Sequence, residues 1–261
     1  MKILYMGNNQ VGYTILRFLL DLGEDIVGLV IHPDGKEKYG WDLTKPLEVY
    51  GKNIPIIDGS KLREPDILQQ VKDLEPDLGL SIFFAYIFKQ EFIDIFPRGI
   101  INLHRSYLPY NRGMYTNVWG IIDRTPTGAT LHYVNAGIDT GPILFRKELS
   151  DEPHDTGETL YRKQEELCIK LFKSSWPIIK NEPYPLLTLV SESMGTYHTA
   201  KDVDKIDCID LELFYSAEYL INILRARTFP PYKGAYFEKD GKRYYMRLEI
   251  IPEEDFVDYE K

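Results

Sequence analysis

Asn102 and His104 stand one residue apart in Ile100-Ile101-Asn102-Leu103-His104, a run whose β-branched and apolar residues read as a strand. Side chains two residues apart on a strand leave the same face, so the carboxamide and the imidazole project together. The pair lies toward the strand's carboxyl end, where open α/β sheets bind ligands. An amide offers an uncharged hydrogen-bond donor, and an imidazole, with a reference pKa of about 6.5, exchanges protons near neutrality. Taken alone, the bland reading is the stronger: a strand histidine is often just hydrogen-bonded, and an asparagine often just ends a strand. The surroundings shift the balance. The chain leaves through a loop from Arg105 to Gly113 containing Pro, Asn and Gly, and after a further strand comes Gly137-Ile138-Asp139-Thr140-Gly141.

The elements that must hold these residues are legible. Lys2 to Met6 is an apolar run ended by Gly7, after which Val11, Ile15, Phe18, Leu19 and Leu22 recur at helical spacing until Gly23. Asp25 to His32 is a second strand, Ile54 to Ile57 a short third and Leu78 to Phe84 a fourth, with a helix from Pro65 to Leu74 before it. This alternation predicts an α/β fold built on a doubly wound, mostly parallel sheet. Thr130 to Val134 and Ile143 to Leu149 are further strands joined by a tight, glycine-containing turn. Asp155, Thr156 and Glu158 start a long helix with Leu160, Gln164, Leu167, Cys168, Leu171, Phe172, Ser175 and Ile179 along one face. Pro183 and Pro185 then interrupt the pattern, and a domain boundary is expected near residue 190. Residues 1–190 would form the main domain. Residues 191–261 would form a small C-terminal α+β appendage, with a helix from Leu211 to Arg225 and a hairpin around Asp240-Gly241.

Composition excludes several classes. Forty acidic against 31 basic residues leave a formal net charge of −9, which disfavours a general nucleic-acid binder. Cys168 and Cys208 lie far apart without a second metal-type pair, and both are expected to be buried thiols. The start has no small-residue cleavage site and no apolar run is long enough to span a bilayer, so no membrane partner and a cytoplasmic location are expected. Gly7-Asn8-Asn9-Gln10-Val11-Gly12 lacks the glycine spacing of a dinucleotide site and has no phosphate-loop lysine, which argues against dehydrogenase and kinase.

Asn102-Leu103-His104, then Ser106-Tyr107-Leu108-Pro109-Tyr110-Asn111-Arg112-Gly113, then Gly137-Ile138-Asp139-Thr140-Gly141 form an ordered set that resembles the formyltransferase family, over about residues 1–180. That family includes the methionyl-tRNA, glycinamide ribonucleotide and sugar N-formyltransferases. The resemblance implies Asn102, His104 and Asp139 as a catalytic trio and N10-formyltetrahydrofolate as cofactor. It implies a folate site built from Phe84, Tyr86, Ile87 and Phe88 with Gly137, Ile138 and Asp139, largely through main chain. The chemistry fits these residue types. Formyl transfer to an amine passes through a tetrahedral intermediate, which needs a donor for the developing oxyanion and a group for the amine's surplus proton. No covalent acyl-enzyme and no metal are required. Asp139 would orient or charge-stabilise the imidazole while also making a side-chain-to-backbone contact in its turn.

The loop followed by Asn117-Val118-Trp119, and the late Ile223 to Phe237 stretch, look most like the sugar N-formyltransferases. This resemblance implies a nucleotide-linked amino-deoxy sugar as acceptor, dTDP-4-amino-4,6-dideoxyglucose-like being favoured over a dTDP-3-amino sugar or GDP-perosamine. Acceptor contacts are expected from Asn9 and Gln10 at the first turn and from Tyr110, Arg112 and Asn117. Arg225 and Arg227 would meet the diphosphate, and Tyr232 would stack on the base. A homodimer and a role in lipopolysaccharide O-antigen biosynthesis are further implications. Another folate-dependent formyltransferase, methionyl-tRNA formyltransferase included, and an inactive binding homologue stand as alternatives.

Overall fold

The first apolar run becomes strand β1 (Lys2–Gly7), and the helix after it, α1 (Asn9–Asp21), starts where Asn8 Oδ1 accepts the Asn9 N–H. A computed structural model describes residues 1–33, 42–181 and 193–256. β2 (Asp25–Ile31), β3 (Ile56–Asp58), β4 (Leu78–Ile82) and β5 (Ile100–His104) join β1 in a parallel array, with α2 (Thr44–Val49), α3 (Pro65–Asp73) and α4 (Gln90–Ile93) between them. The next strand, the two-residue β6 (Arg112–Gly113), lies outside that sheet, and α5 (Thr116–Ile122) follows it. β7 (Thr127–Tyr133) and β8 (Ile143–Leu149) then add antiparallel strands to the edge. The seven strands run in the order β3-β2-β1-β4-β5-β7-β8. The order reverses between β1 and β4, so a crevice opens at their carboxyl ends.

Alternation along the strands divides the core. Ile3, Tyr5, Leu80, Ile82, Ile101, Leu103, Ala129 and Leu131 face one side with α1 and α6 (Gly157–Lys180), whereas Leu4, Met6, Val30 and Ile100 face the other with Val71, Phe92 and Phe96. α6 begins with a reciprocal cap in which Thr156 accepts from Thr159 N and Thr159 Oγ1 accepts from Thr156 N. Its expected face is buried throughout. At its far end Trp176 Nε1 and Lys180 Nζ donate to the buried Glu24 at 3.0 and 2.8 Å, which fastens α6 to the turn after α1. Among the described residues, no helix is long and apolar enough to cross a membrane.

The expected boundary near residue 190 lies outside the described residues. Beyond it, β9 (Tyr197–His198) pairs with β6, followed by α7 (Asp204–Asp207), α8 (Ala217–Ala226) and the hairpin β10 (Tyr236–Lys239) and β11 (Lys242–Tyr245). The hairpin turns at Asp240 and Gly241, both at positive φ. α8 starts later than the expected Leu211. Asp210 Oδ1 accepts from Glu212 N and the Tyr215 hydroxyl accepts from Asp210 N, so residues 210–215 turn before Ser216 caps the helix. Cys168 is buried and its thiol pushed up to about 12 by desolvation, but Cys208 is exposed, because it sits after α7 at the outer side of the appendage.

Candidate active site

Strand pairing builds the centre of the site. Ser81 on β4, Asn102 on β5 and His132 on β7 are register partners, so their side chains form one polar row across three strands. Ser81 Oγ donates to Asn102 Oδ1 at 2.8 Å, which leaves the amide nitrogen toward His132 Nε2 at 3.1 Å. His132 Nδ1 lies 2.8 Å from the Tyr133 carbonyl, an acceptor only, so Nδ1 carries the proton and Nε2 accepts from Asn102. One amide proton of Asn102 is thereby engaged, and the second is available to a ligand oxygen. Ser81 and His132 were not singled out from sequence. Their one signal is a polar residue inside an apolar strand, and only pairing shows that both flank Asn102.

His104 and Asp139 meet as expected. Asp139 sits at φ 53° in the turn between β7 and β8, with Oδ1 3.6 Å from His104 Nδ1 and 3.5 Å from His132 Nε2. Its Oδ2 accepts from Gly113 N at 2.9 Å. The turn's own side-chain contact, expected from Asp139, is made instead by Asn135, whose Oδ1 accepts from Gly137 N and Thr140 Oγ1. A Cβ at Gly137 would come within 2.2 Å of Thr140 Oγ1, so any larger residue there would displace the hydroxyl that Asn135 holds. Burial works against the Asp139 anion, but the neighbouring imidazoles of His104 and His132 and the Gly113 N–H outweigh it and hold the carboxyl well below the usual range. Burial lowers the pKa of His104, Asp139 opposes this, and His132 and Arg105 reinforce it. His104 is therefore neutral near pH 7, facing an anion that would stabilise its protonated form.

Residues 83–89 follow β4 at the crevice and belong to no helix or strand, so their peptide groups are committed to no ladder. His32 at the end of β2 accepts from Ala85 N at 3.3 Å, and its ring contacts Phe84 and Tyr86. Phe84 stacks on Phe88, Phe88 on Phe92, and Phe92 packs edge-on against Phe96. That column runs into the core and makes the Phe88 side chain packing, which leaves only its main chain for the expected folate contact. Ile87 and Ile138 are exposed, and the Tyr86 hydroxyl is buried without a hydrogen-bond partner among the described residues.

Several expected acceptor contacts are engaged elsewhere. Asn9 is buried at the start of α1 and its Oδ1 accepts from Val11 N, whereas Gln10 is exposed in the first turn of the same helix. Asn117 is buried and donates to the Gly157 carbonyl at 2.7 Å, tying α5 to α6. Tyr110 is half-buried in the loop, and Arg112 lies buried with its guanidinium 5.6 Å from the Tyr197 ring centre. The diphosphate role of Arg225 and Arg227 is corrected. Arg225 is buried and donates to Asn222 Oδ1, to the carbonyls of Glu152 and Asp155 and to Asp151, while Arg227 forks onto Asp207, with Nη2 to Oδ2 at 2.9 Å. Both arginines pin α8 to the fold. Tyr232 is exposed and packs edge-on against Phe229, which packs on Tyr161. Tyr161 carries the guanidinium of Arg105, a cation beside His104 that sequence reading passed over, 3.7 Å from its ring centre.

Comparison with known proteins places this geometry. The methionyl-tRNA formyltransferase of Geobacter metallireducens is 28% identical over 93% of this chain and 77% of its own length, and other relatives of that name are covered over as little as 53% of theirs. A 4-N formyltransferase from Francisella tularensis superposes with a TM-score of 0.76 at 27% identity, over 96% of this chain and 98% of that one. The formyltransferase PseJ from Anoxybacillus kamchatkensis, solved in complex with UDP-4,6-dideoxy-4-formamido-L-AltNAc and tetrahydrofolate, gives 0.55 at 27% identity, over 78% and 89%. Residues 202–252 match the N-formyltransferase dimerization C-terminal domain. Residues 20–174, which hold every strand of the sheet from β2 onward together with Asn102, His104 and Asp139, match the formyl transferase domain, and the chain belongs to the formyltransferase family.

Proposed function

We propose that this protein transfers a formyl group from N10-formyltetrahydrofolate to the amine of a nucleotide-linked amino-deoxy sugar, a dTDP-4-amino-4,6-dideoxyglucose-like acceptor being favoured. The observation that carries the acceptor class is correspondence with a 4-N formyltransferase over nearly the whole of both chains, C-terminal part included. PseJ, at the same identity, holds a formamido sugar nucleotide with tetrahydrofolate. The residues at the crevice suit a pterin: the peptide groups of 83–88 lie outside any ladder, the Ala85 N–H being taken by His32, Tyr86 carries a buried hydroxyl without a partner among the described residues, and Ile87 and Ile138 offer apolar surface to a flat ring. The bound folate would supply the formyl group.

The chain's own side chains divide the remaining work. Asn102, held by Ser81 and His132, presents its second amide proton to the oxyanion. His104, neutral at rest, takes the surplus proton of the acceptor amine, and Asp139 balances the imidazolium that results. Residues 1–190 are assigned to catalysis, and residues 191–261 to acceptor binding and dimer formation, in line with the dimerization domain matched there. A second reading, methionyl-tRNA as acceptor, is favoured by the names of the curated relatives. The net charge of −9 opposes it.

Purified protein with N10-formyltetrahydrofolate, offered a panel of dTDP-, UDP- and GDP-linked amino sugars beside methionyl-tRNA, tests the proposal. Formylation of a nucleotide sugar is expected. In His104→Ala, turnover should fall by about 10²–10⁴ with folate binding retained. Efficient formylation of the tRNA with none of any sugar would overturn the acceptor assignment.

A further inference from the structure

His104 has two ring nitrogens, and which of them is basic depends on a residue outside the expected trio. Its Nε2 lies 3.3 Å from the main-chain oxygen of Asn111. A carbonyl and a carboxylate both only accept, but the Asn111 contact is at hydrogen-bond distance whereas Nδ1 stands 3.6 Å from Asp139 Oδ1, beyond it, so in the neutral ring the proton sits on Nε2 and the lone pair on Nδ1, the nitrogen that faces Asp139.

The Asn111 carbonyl is aimed by unusual local structure. Asn111 is buried and sits at φ 54°, in the left-handed region that asparagine tolerates better than most residues. Its Nδ2 donates to Thr125 Oγ1 at 2.9 Å, its Oδ1 lies 3.2 Å from Thr196 Oγ1, and its N–H donates to that same hydroxyl at 2.8 Å. Thr125 comes from the turn between α5 and β7, and Thr196 lies 85 residues downstream of Asn111. The segment around Thr196 grips the loop further. Arg112 N donates to the Thr196 carbonyl and Met114 N to that of His198. Gly113 packs so closely on His198 that a Cβ would lie 2.3 Å from its carbonyl oxygen. The Gly113 N–H is in turn the one that holds Asp139 Oδ2. One clamp thus fixes both the imidazole and its carboxylate.

We propose that Asn111, held by Thr125 and Thr196, is a positioning residue that sets the tautomer of His104, making Nδ1 the nitrogen that receives the amine proton. This rests on the formyl-transfer reading of the site. Charged or titratable groups facing His104 are Asp139, His132 and Arg105, and none of them is altered by the test.

Two variants separate positioning from folding. Asn111→Gly keeps the carbonyl and the left-handed backbone but removes the side-chain pins, and Thr196→Val removes one hydroxyl at nearly constant volume. Nitrogen-15 NMR of the histidine rings in the ligand-free protein reports the tautomer directly, and the far-UV spectrum and Tm report folding. The wild type should show His104 protonated on Nε2. The folded variants should show a mixed or exchanging ring, with kcat down about tenfold, KM for N10-formyltetrahydrofolate little changed and a displaced acid limb. A wild-type His104 protonated on Nδ1 overturns the inference. So does a folded Thr196→Val or Asn111→Gly that keeps both the wild-type tautomer and the wild-type pH profile. Because the NMR needs no substrate, a wrong acceptor leaves this readout intact, and the two failures stay distinguishable.

Discussion

At the residue scale the fold holds two neighbouring ionisable groups in opposite states. Burial keeps His104 neutral, while Asp139, with its histidine neighbours and the Gly113 N–H, stays anionic far below neutrality. The base form of His104 is therefore present above its depressed pKa and lost below it. The kcat–pH profile should show an acid limb with its midpoint below about 6.5, falling about tenfold per pH unit beneath it. Asp139 remains ionised across that window, so the limb should reflect one proton. A midpoint above neutrality would mean that another group is the base. Stability should shift in the same direction. Because the unfolded imidazole binds its proton more tightly than the folded one, stability declines as pH falls below about 6.5, and declines again as Asp139 is protonated in strong acid.

At the element scale, β4, β5 and β7 bring Ser81, Asn102 and His132 into register, and the C-terminal helix is fastened by arginines that sequence reading sent to the substrate. Arg225 satisfies two carbonyls and a carboxylate from the stretch before α6. Removing it leaves those acceptors buried or half-buried without donors. Arg225→Ala should cost about 1–3 kcal/mol and lower Tm by roughly 3–10 °C, with KM for the acceptor close to wild type. Differential scanning fluorimetry beside steady-state kinetics measures both. An unchanged Tm with a large rise in acceptor KM would return Arg225 to the ligand.

At the scale of the whole molecule, the appendage is the part with unfinished surface. Leu211, Leu213, Phe214, Tyr219, Ile221, Tyr244 and Tyr245 are all exposed, within or beside the matched dimerization region. Exposed apolar side chains within a matched dimerization domain are the surface expected to pair. Light scattering at micromolar concentration should return twice the 30.4 kDa of the chain. A mass of one chain would leave this surface to some other partner.

The sequence by itself determined the alternation of strands and helices, the face of α6, the hairpin at Asp240-Gly241 and the spacing that puts Asn102 and His104 on one strand face. These follow from local periodicity, which depends only on near neighbours along the chain. The tertiary structure alone decided what lies beside them. Ser81 and His132 join Asn102 through strand pairing, Asn135 rather than Asp139 makes the turn contact, and Phe88 belongs to a packed column. Arg225, Arg227 and Asn117 read as ligand groups because their donors are conspicuous in sequence, but each donor is engaged by an acceptor from another part of the chain: Asp151 with the carbonyls of Glu152 and Asp155, Asp207, and the Gly157 carbonyl respectively. A side chain's type limits what it can bind, but only the folded chain determines whether a distant acceptor has already engaged it.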